Sequence, residues 1–344
     1  MTAPPRISVI VPAFNAAPTI SRTLHAATAQ TFRDIEIVVA DDGSTDETPD
    51  IVARHAARDR RIRLVRQANA GLAAARNRAI DAARGQFVAP LDADDLWHPE
   101  KLLRQLEVFD SASPAAAMVY CWYVSIDSDD HVLAGGPAAE YEGDVLAALI
   151  LDNFIGCASI PLIRRAAVVE AGGYDRSLRE AGAQGCEDLR LYLRLAERHT
   201  VGVARGYLVG YRQSAASMSR DAAAMLRSRR LVMTDVQVRH PELPARLFAL
   251  SDAGILFWYA RRCLHAGSPA TAGRLLLRAL IAAPAAVAGP LALASLSRLA
   301  ARRRRPAAAP FGSDPIFDPG YARLAAWQRR VLGELRGSTE QLPL

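Results

Sequence analysis

Residues 86–95 read QFVAPLDADD, an apolar run of strand character that stops at three carboxylates in four positions: Asp92, Asp94 and Asp95. In open α/β sheets, ligands bind in the crevice beyond the carboxyl ends of the strands. Residues i and i+2 of an extended chain point to the same face, so Asp92 and Asp94 can converge on one ligand. Clustered acids repel one another unless a cation neutralises them, and hard divalent ions such as Mg2+ prefer oxygen ligands. An isolated Asp-x-Asp is equally at home in an ordinary surface turn. The surrounding pattern therefore decides.

Upstream, strand-like runs alternate with helical ones. ISVIVPAF (7–14) and IEIVVA (35–40) are continuously apolar, as expected of strands covered on both faces, while RIRLVR (61–66) alternates like a strand nearer the edge. Between them lie helical patterns at 18–30, 45–57 and 71–83. Pro18 suits a first helical turn, Gly43 suits a turn, and Ser44 or Thr45 suits a helix cap. This alternation predicts a parallel, doubly wound sheet with right-handed crossovers.

Downstream the pattern is less regular. It predicts a helix over 101–109, a strand over 117–126, a helix within 140–151, a turn at GGYD (172–175) and a helix over 187–198. From about residue 221 the chain reads as wholly helical, with one helix pair over 258–280.

Two further acidic pairs stand at element ends. Asp41-Asp42 closes the second strand, where a carboxylate can accept hydrogen bonds from ribose hydroxyls or a base N–H. Glu187-Asp188 opens a helix, a position that favours acids for purely structural reasons as well. No GxGxxG follows the first strand and no Walker motif occurs, so dinucleotide and P-loop readings are poor. Bound phosphates would need a metal for positive charge, with Arg76 as a helper, although a helical Arg is usually a solvated surface residue.

The chain has 344 residues, 51% of them hydrophobic, enough for one large α/β domain and an appendage. Its net charge of +6 is concentrated at Arg302-Arg303-Arg304-Arg305, a run suited to anionic lipid or to solvent. No nucleic-acid-binding motif accompanies it, and nucleic acid is not an expected partner. Cys121, Cys157, Cys186 and Cys263 fit neither a disulfide framework nor a zinc site. With no signal-peptide pattern, a cytoplasmic setting is expected. Residues between Arg278 and Arg298 are uncharged but broken by Pro284, Gly289 and Pro290, as in a buried or interfacial hairpin rather than a span. Peripheral association with the inner face of the cell membrane is therefore an expectation.

ISVIVPAFNAAPTI (7–20), QTFRDIEIVVADDGSTDET (30–48), GLAAARNRAIDAARGQFVAPLDADD (71–95), GGYDRSL (172–178) and CEDLRLYLRL (186–195) occur in the order and spacing of one family. The chain resembles a family 2 glycosyltransferase with the GT-A fold over residues 6 to about 220. The resemblance implies a Rossmann-like, mostly parallel sheet with a C-terminal helical extension. It divides the chain into a glycosyltransferase domain over 1–220, with a nucleotide-binding half (about 1–115) and an acceptor half (about 116–220), and a helical region over 221–344.

It also implies an inverting reaction between a nucleotide diphosphate sugar, a UDP-sugar by family frequency, and a hydroxyl of a glycan or lipid-linked acceptor. By that resemblance Pro12 and Phe14 line the base pocket, and Asp42 holds the base or ribose. Asp92 faces the nucleoside, and Asp94 coordinates Mg2+ or Mn2+ bridging the diphosphate. Asp188 is the general base, and Glu187 orients it or the acceptor. Residues 210–219 are similar to the flexible loop after the family's catalytic helix. Gln213 stands near where many relatives have His, which leaves Arg212 as the phosphate partner. Asp95 has no role beyond capping the following turn. Trp97 and His98 floor the acceptor site or pack.

Other readings fit less well. Dehalogenase-type phosphatases carry DxDGT on the first strand rather than the fourth, and nucleotidyltransferases carry a glycine-rich loop near the N-terminus. A catalytically inactive nucleotide-sugar-binding regulator or scaffold would need to retain neither Asp94 nor Asp188.

Overall fold

The computed structural model describes residues 3–183, 185–214, 221–284 and 311. Its strands are β1 (Ile7–Ala13), β2 (Ile35–Asp41), β3 (Ile62–Arg66), β4 (Phe87–Pro90), β5 (Leu96–Trp97), β6 (Ala116–Ile126), β7 (Val132–Gly135), β8 (Leu162–Arg164) and β9 (Thr200–Arg212). The helices are α1 (Ile20–Thr28), α2 (Thr48–Arg58), α3 (Leu72–Ala82), α4 (Lys101–Ser111), α5 (Leu146–Leu151), α6 (Arg165–Glu170), α7 (Ser177–Glu180), α8 (Glu187–Ala196), α9 (Ala222–Arg239), α10 (Ala245–His265) and α11 (Pro269–Ala282).

The strands form one sheet in the order β3-β2-β1-β4-β8-β6-β9-β5, with β7 paired to β6. The first four are mutually parallel, and β1 and β2 are buried at every position, which is why both read as unbroken apolar runs. β3, at the edge, is buried only at Ile62 and is half-buried or exposed elsewhere. β6 and β9 are also parallel, whereas β8 runs antiparallel to both β4 and β6. β8 is only three residues long and joins the two halves of the sheet through two residue pairs on each side.

Local chemistry moves some predicted boundaries. Helix α1 begins at Ile20, so Pro18 precedes it rather than occupying its first turn. Neither Ser44 nor Thr45 caps α2. Asp46 Oδ1 instead accepts from the Thr48 amide at that helix start, and Ser44 Oγ accepts from the Asn15 amide. The Asn15–Ser44 bond ties the β2–α2 loop to the β1–α1 loop across the carboxyl edge of the sheet. The segment from Gly210 to Arg212, expected in a loop, is the end of β9. The remainder of that loop, including Ser217 and Ser219, lies outside the described residues.

Helices α10 and α11 form the expected pair, packed through Ala253, Leu256, Tyr259, Ala260, Leu275 and Ala279. Most of the expected 278–298 hairpin and the basic run at 302–305 lie outside the described residues. Among the described residues, no helix is long and apolar enough to cross a membrane.

One side chain links α3 to the turn preceding α7. Asn77 Nδ2 donates to the Tyr174 carbonyl at 2.7 Å, and its Oδ1 accepts from the Tyr174 amide at 2.8 Å. Gly173, at φ +70°, leaves room for this approach, since a Cβ there would stand 2.7 Å from Asn77 Oδ1. Replacing Asn77 by Ala strands both backbone groups. The expected result is about 2 kcal/mol of lost stability, read from the urea midpoint at unchanged m-value.

Candidate active site

The loop after β4 is held from four sides. Leu91 N donates to the Ile10 carbonyl at 2.9 Å, continuing the β1 pairing to the brink of the acids. Thr23 Oγ1 of α1 lies 3.0 Å from the carbonyls of both Ala93 and Asp95. Ser159 Oγ accepts from the Asp92 amide and donates to Asp95 Oδ2 at 2.5 Å. The Arg212 amide donates to Asp95 Oδ1 at 2.9 Å. Asp95 is thus fully buried and anchors the loop, rather than capping the turn that follows. Burial first, then the charges of Asp94 and Asp92, hold its carboxyl well above the ordinary range despite the Ser159 and Arg212 donors.

Arg76, expected as a helper at bound phosphates, is 2% exposed, unlike the solvated surface position usual for a helical Arg. Its Nη2 donates to Asp92 at 2.6 Å and its Nη1 to Glu187 at 2.7 Å, joining acids 95 positions apart in sequence. Burial opposes the guanidinium charge, but Asp92 and Glu187 more than offset this and hold it protonated. The Tyr174 ring packs against it, 5.1 Å from ring centre to guanidinium carbon. Tyr174 was legible only as part of the GGYD turn, and Ser159 carried no signal at all.

Glu187 and Asp188 open α8, where the helix dipole favours negative charge. Cys186, just before them, takes a left-handed φ of +61°, an uncommon backbone for a residue with a side chain. Buried surroundings, then the charge of Glu187, push the Asp188 pKa up to about 7 against the pull of Arg76 and the Leu189 amide. Asp188 therefore changes charge near neutral pH, as suits a general base.

Burial and then Asp92 push the Asp94 pKa up to about 6, although Arg212 and Arg76 pull it down. Among the described residues, no side-chain donor reaches the Asp94 carboxylate. Asp94 thus offers carboxylate oxygens that no described side chain occupies, the ligand type that hard cations such as Mg2+ prefer. A second group, Asp127, Asp129 and His131, brings its ligand atoms within 4.8 Å of one another in the β6–β7 turn. Asp127 there already accepts from the Asp129 and His131 amides.

Asp42 is buried at the end of β2. Its carboxylate accepts from Gln67 Nε2 at 2.6 Å and from the Ala70 and Gly71 amides at 2.9 and 2.8 Å. Pro12 is buried within β1, while Phe14, one residue past the strand, is 51% exposed.

Arg212, expected at a phosphate, is turned inward. Nε donates to the Asp94 carbonyl at 2.7 Å, and the two Nη groups donate to the Asp127 carbonyl and the Asp130 carboxylate. It is 3% exposed and clamps the acidic loop to the β6–β7 turn. Trp97 packs instead of flooring a site: it is buried, its Nε1 donates to the Ser159 carbonyl, and Lys101 Nζ sits 4.1 Å from its ring centre. His98 Nδ1 accepts from the Glu100 amide.

A parallel sheet with acids at its carboxyl edge, completed by a mixed second half and a carboxylate-headed helix, is the GT-A architecture. Two solved structures share it. TarS of S. aureus, solved with UDP, is 20% identical at a TM-score of 0.53, covering 76% of this chain and 72% of that one. A mannosyltransferase of Pyrobaculum calidifontis, solved with GDP-Man and Mn2+, is 19% identical at 0.55, covering 98% and 87%.

Residues 8–168, a little under half of the chain, match the family model for glycosyl transferase family 2. Among curated relatives, the chondroitin synthase of Escherichia coli is 30% identical over 193 residues, 56% of this chain and 27% of that protein. The matched stretches span at most 41% of the length of the curated relatives.

The raised pKa of Asp188 has a consequence for stability. Between its unfolded value near 3.8 and its folded value of about 7, the native state binds the extra proton, so this group's contribution to stability falls as pH rises through that window. Asp188→Asn is expected to melt about 3 °C or more above wild type at pH 8, with the gain vanishing towards pH 4. Calorimetry across that range checks it.

Proposed function

We propose that this protein is an inverting, metal-dependent glycosyltransferase. It moves a sugar from a nucleoside diphosphate sugar, preferentially a UDP-sugar, to a hydroxyl of a glycan or lipid-linked acceptor in cell-envelope polysaccharide synthesis. The observation that carries this reading is the Arg76 bridge between Asp92 and Glu187, which brings the acidic loop and the head of α8 to one place. The UDP of TarS and the GDP-Man and Mn2+ of the Pyrobaculum enzyme support a nucleoside diphosphate donor and a divalent metal. The chondroitin synthase supports a polysaccharide product. No observation favours an inactive regulator.

In this reading the base lies between Pro12 and Phe14, whose exposed ring offers a stacking surface. A carboxylate has about four acceptor sites, and Asp42 uses three internally, leaving one for the nucleoside. Asp92, steered by Arg76, faces the ribose. Mg2+ or Mn2+ held at Asp94 would stabilise the negative charge developing on the departing diphosphate. Asp188, ionised, accepts the proton of the acceptor hydroxyl as that oxygen attacks the anomeric carbon. The attack comes from the side opposite the leaving group, and configuration inverts. Glu187, fixed by Arg76, keeps Asp188 turned to the acceptor, and Arg212 positions the loop rather than touching phosphate. The acid-free basic stretch from 253 to 313 supports peripheral contact with an anionic membrane, where a lipid-linked acceptor would reside.

Asp188→Ala is expected to lower transfer by about 100- to 10,000-fold while the donor Kd stays within about twofold. A matching loss of donor binding would remove Asp188 from the role of base. In the active enzyme, kcat/KM is expected to climb as pH rises through about 7, because the base must be unprotonated. Asp94→Ala is expected to abolish the Mn2+-dependent part of UDP binding. Calorimetric titration with and without Mn2+ tests this, and identical binding by the variant would refute the metal assignment. Screening nucleotide sugars for nucleoside diphosphate release identifies the donor.

A further inference from the structure

We propose that Asp130 is a positioning residue of this site, and that the C-terminal region engages the site through Phe311. The proposal rests on the reading of Asp94 and its loop given above.

Three distant parts of the chain converge on Asp130. Arg22 of α1 donates to both its carboxylate oxygens at 3.2 Å, Arg212 at the end of β9 donates to Oδ1, and the Phe311 amide donates to its carbonyl at 3.1 Å. The backbone of Asp130 is left-handed at φ +69°, a conformation that Asp tolerates better than most residues but one held only by its surroundings. Those surroundings are the turn itself, where the Asp130 amide donates to the Asp127 carbonyl, and the three outside donors. The Phe311 ring adds a side-chain contact: a Cβ placed on Gly210 would stand 3.3 Å from its atoms.

Asp130 acts on the site through Arg212. The same guanidinium that it holds donates to the Asp94 carbonyl, and the Arg212 amide donates to the Asp95 carboxylate. Fixing Arg212 therefore fixes the loop presenting Asp94. Such second-tier partners commonly set metal affinity without touching the metal, because a loop that must be ordered on binding gives back part of the binding energy. Residue 311 lies 99 positions beyond Arg212, so a residue distant in sequence stands at the sheet edge beside Asp130.

The test compares full-length wild type with Asp130→Asn, which withdraws the charge from both arginines, and Phe311→Pro, which removes the amide hydrogen and the ring together. Amide hydrogen exchange is read at Arg212 and Asp95, with no ligand present. Both variants are expected to exchange at these amides about tenfold faster or more, with Tm within about 2 °C of wild type. Unchanged exchange at both positions overturns the proposal.

A second readout is titration with Mn2+ and UDP, where half-saturation by Mn2+ is expected to rise about 10- to 100-fold in both variants. Wild-type affinity in both would likewise refute the coupling. Asp94→Ala serves as the control: if it binds Mn2+ and UDP as wild type does, the metal reading fails while the exchange result still decides the coupling.

Discussion

A buried cation ties the two acidic segments of the site together. Arg76 has almost no contact with water, and the energy of placing a guanidinium there is recovered only because two carboxylates meet it on either side. Each acid belongs to a different half of the sheet, so the ion pairs crosslink the loop after β4 to the head of α8. The planar fork of Arg suits this task in a way a Lys ammonium would not, since it donates along two directions at once. Removing either acid would leave a buried charge half-compensated, which makes the three residues one unit.

The rest of the site follows from this constraint. Asp92 is engaged by Arg76, while the next carboxylate of the loop, Asp94, has no side-chain donor among the described residues and its pKa is pushed up to about 6 by burial and then by Asp92. Glu187 is likewise engaged by Arg76, and beside it burial and then the Glu187 charge push the Asp188 pKa up to about 7. In each pair one member is held by Arg76 and its neighbour carries the raised pKa. Pushing apart the properties of adjacent titratable groups is a general way to assign them different roles.

The sequence made the first half of the fold legible and much of the second half not. β1, β2 and β4 are buried strands whose apolar runs are too short to form buried helices, and α3 is an Ala-rich helix. β9 was missed because Gly202, Gly206 and Gly210 punctuate it like a loop. Two of these glycines instead admit close neighbours: Val108 against Gly202 and Phe311 against Gly210. β8 is too short for any periodicity. In the site, Asp42, Asp92, Asp94, Asp95, Glu187 and Asp188 were visible from their positions at element ends, and family resemblance supplied the roles expected of them, whereas Asp130 carried no signal. The burial of Arg76 and the inward turn of Arg212 were not visible, because their partners lie 16 to 118 positions away and nothing local encodes them. Ser159 was silent for the same reason.

The three-residue strand β8 gives the sheet an uneven mechanical profile. On one side stand four parallel strands from the first ninety residues, each hydrogen-bonded to its neighbour over several positions; on the other, β6 and β9 pair along most of their length. Between them, the sheet is continuous through two residue pairs on each side of β8. Strain applied across the molecule would concentrate on that seam, and a partial opening there would leave each block with its own ladder intact. The Arg76 bridge spans the same divide. The narrowest pairing in the sheet and the candidate site therefore lie together, so an opening at β8 would also pull on the ion pairs between the acidic loop and α8.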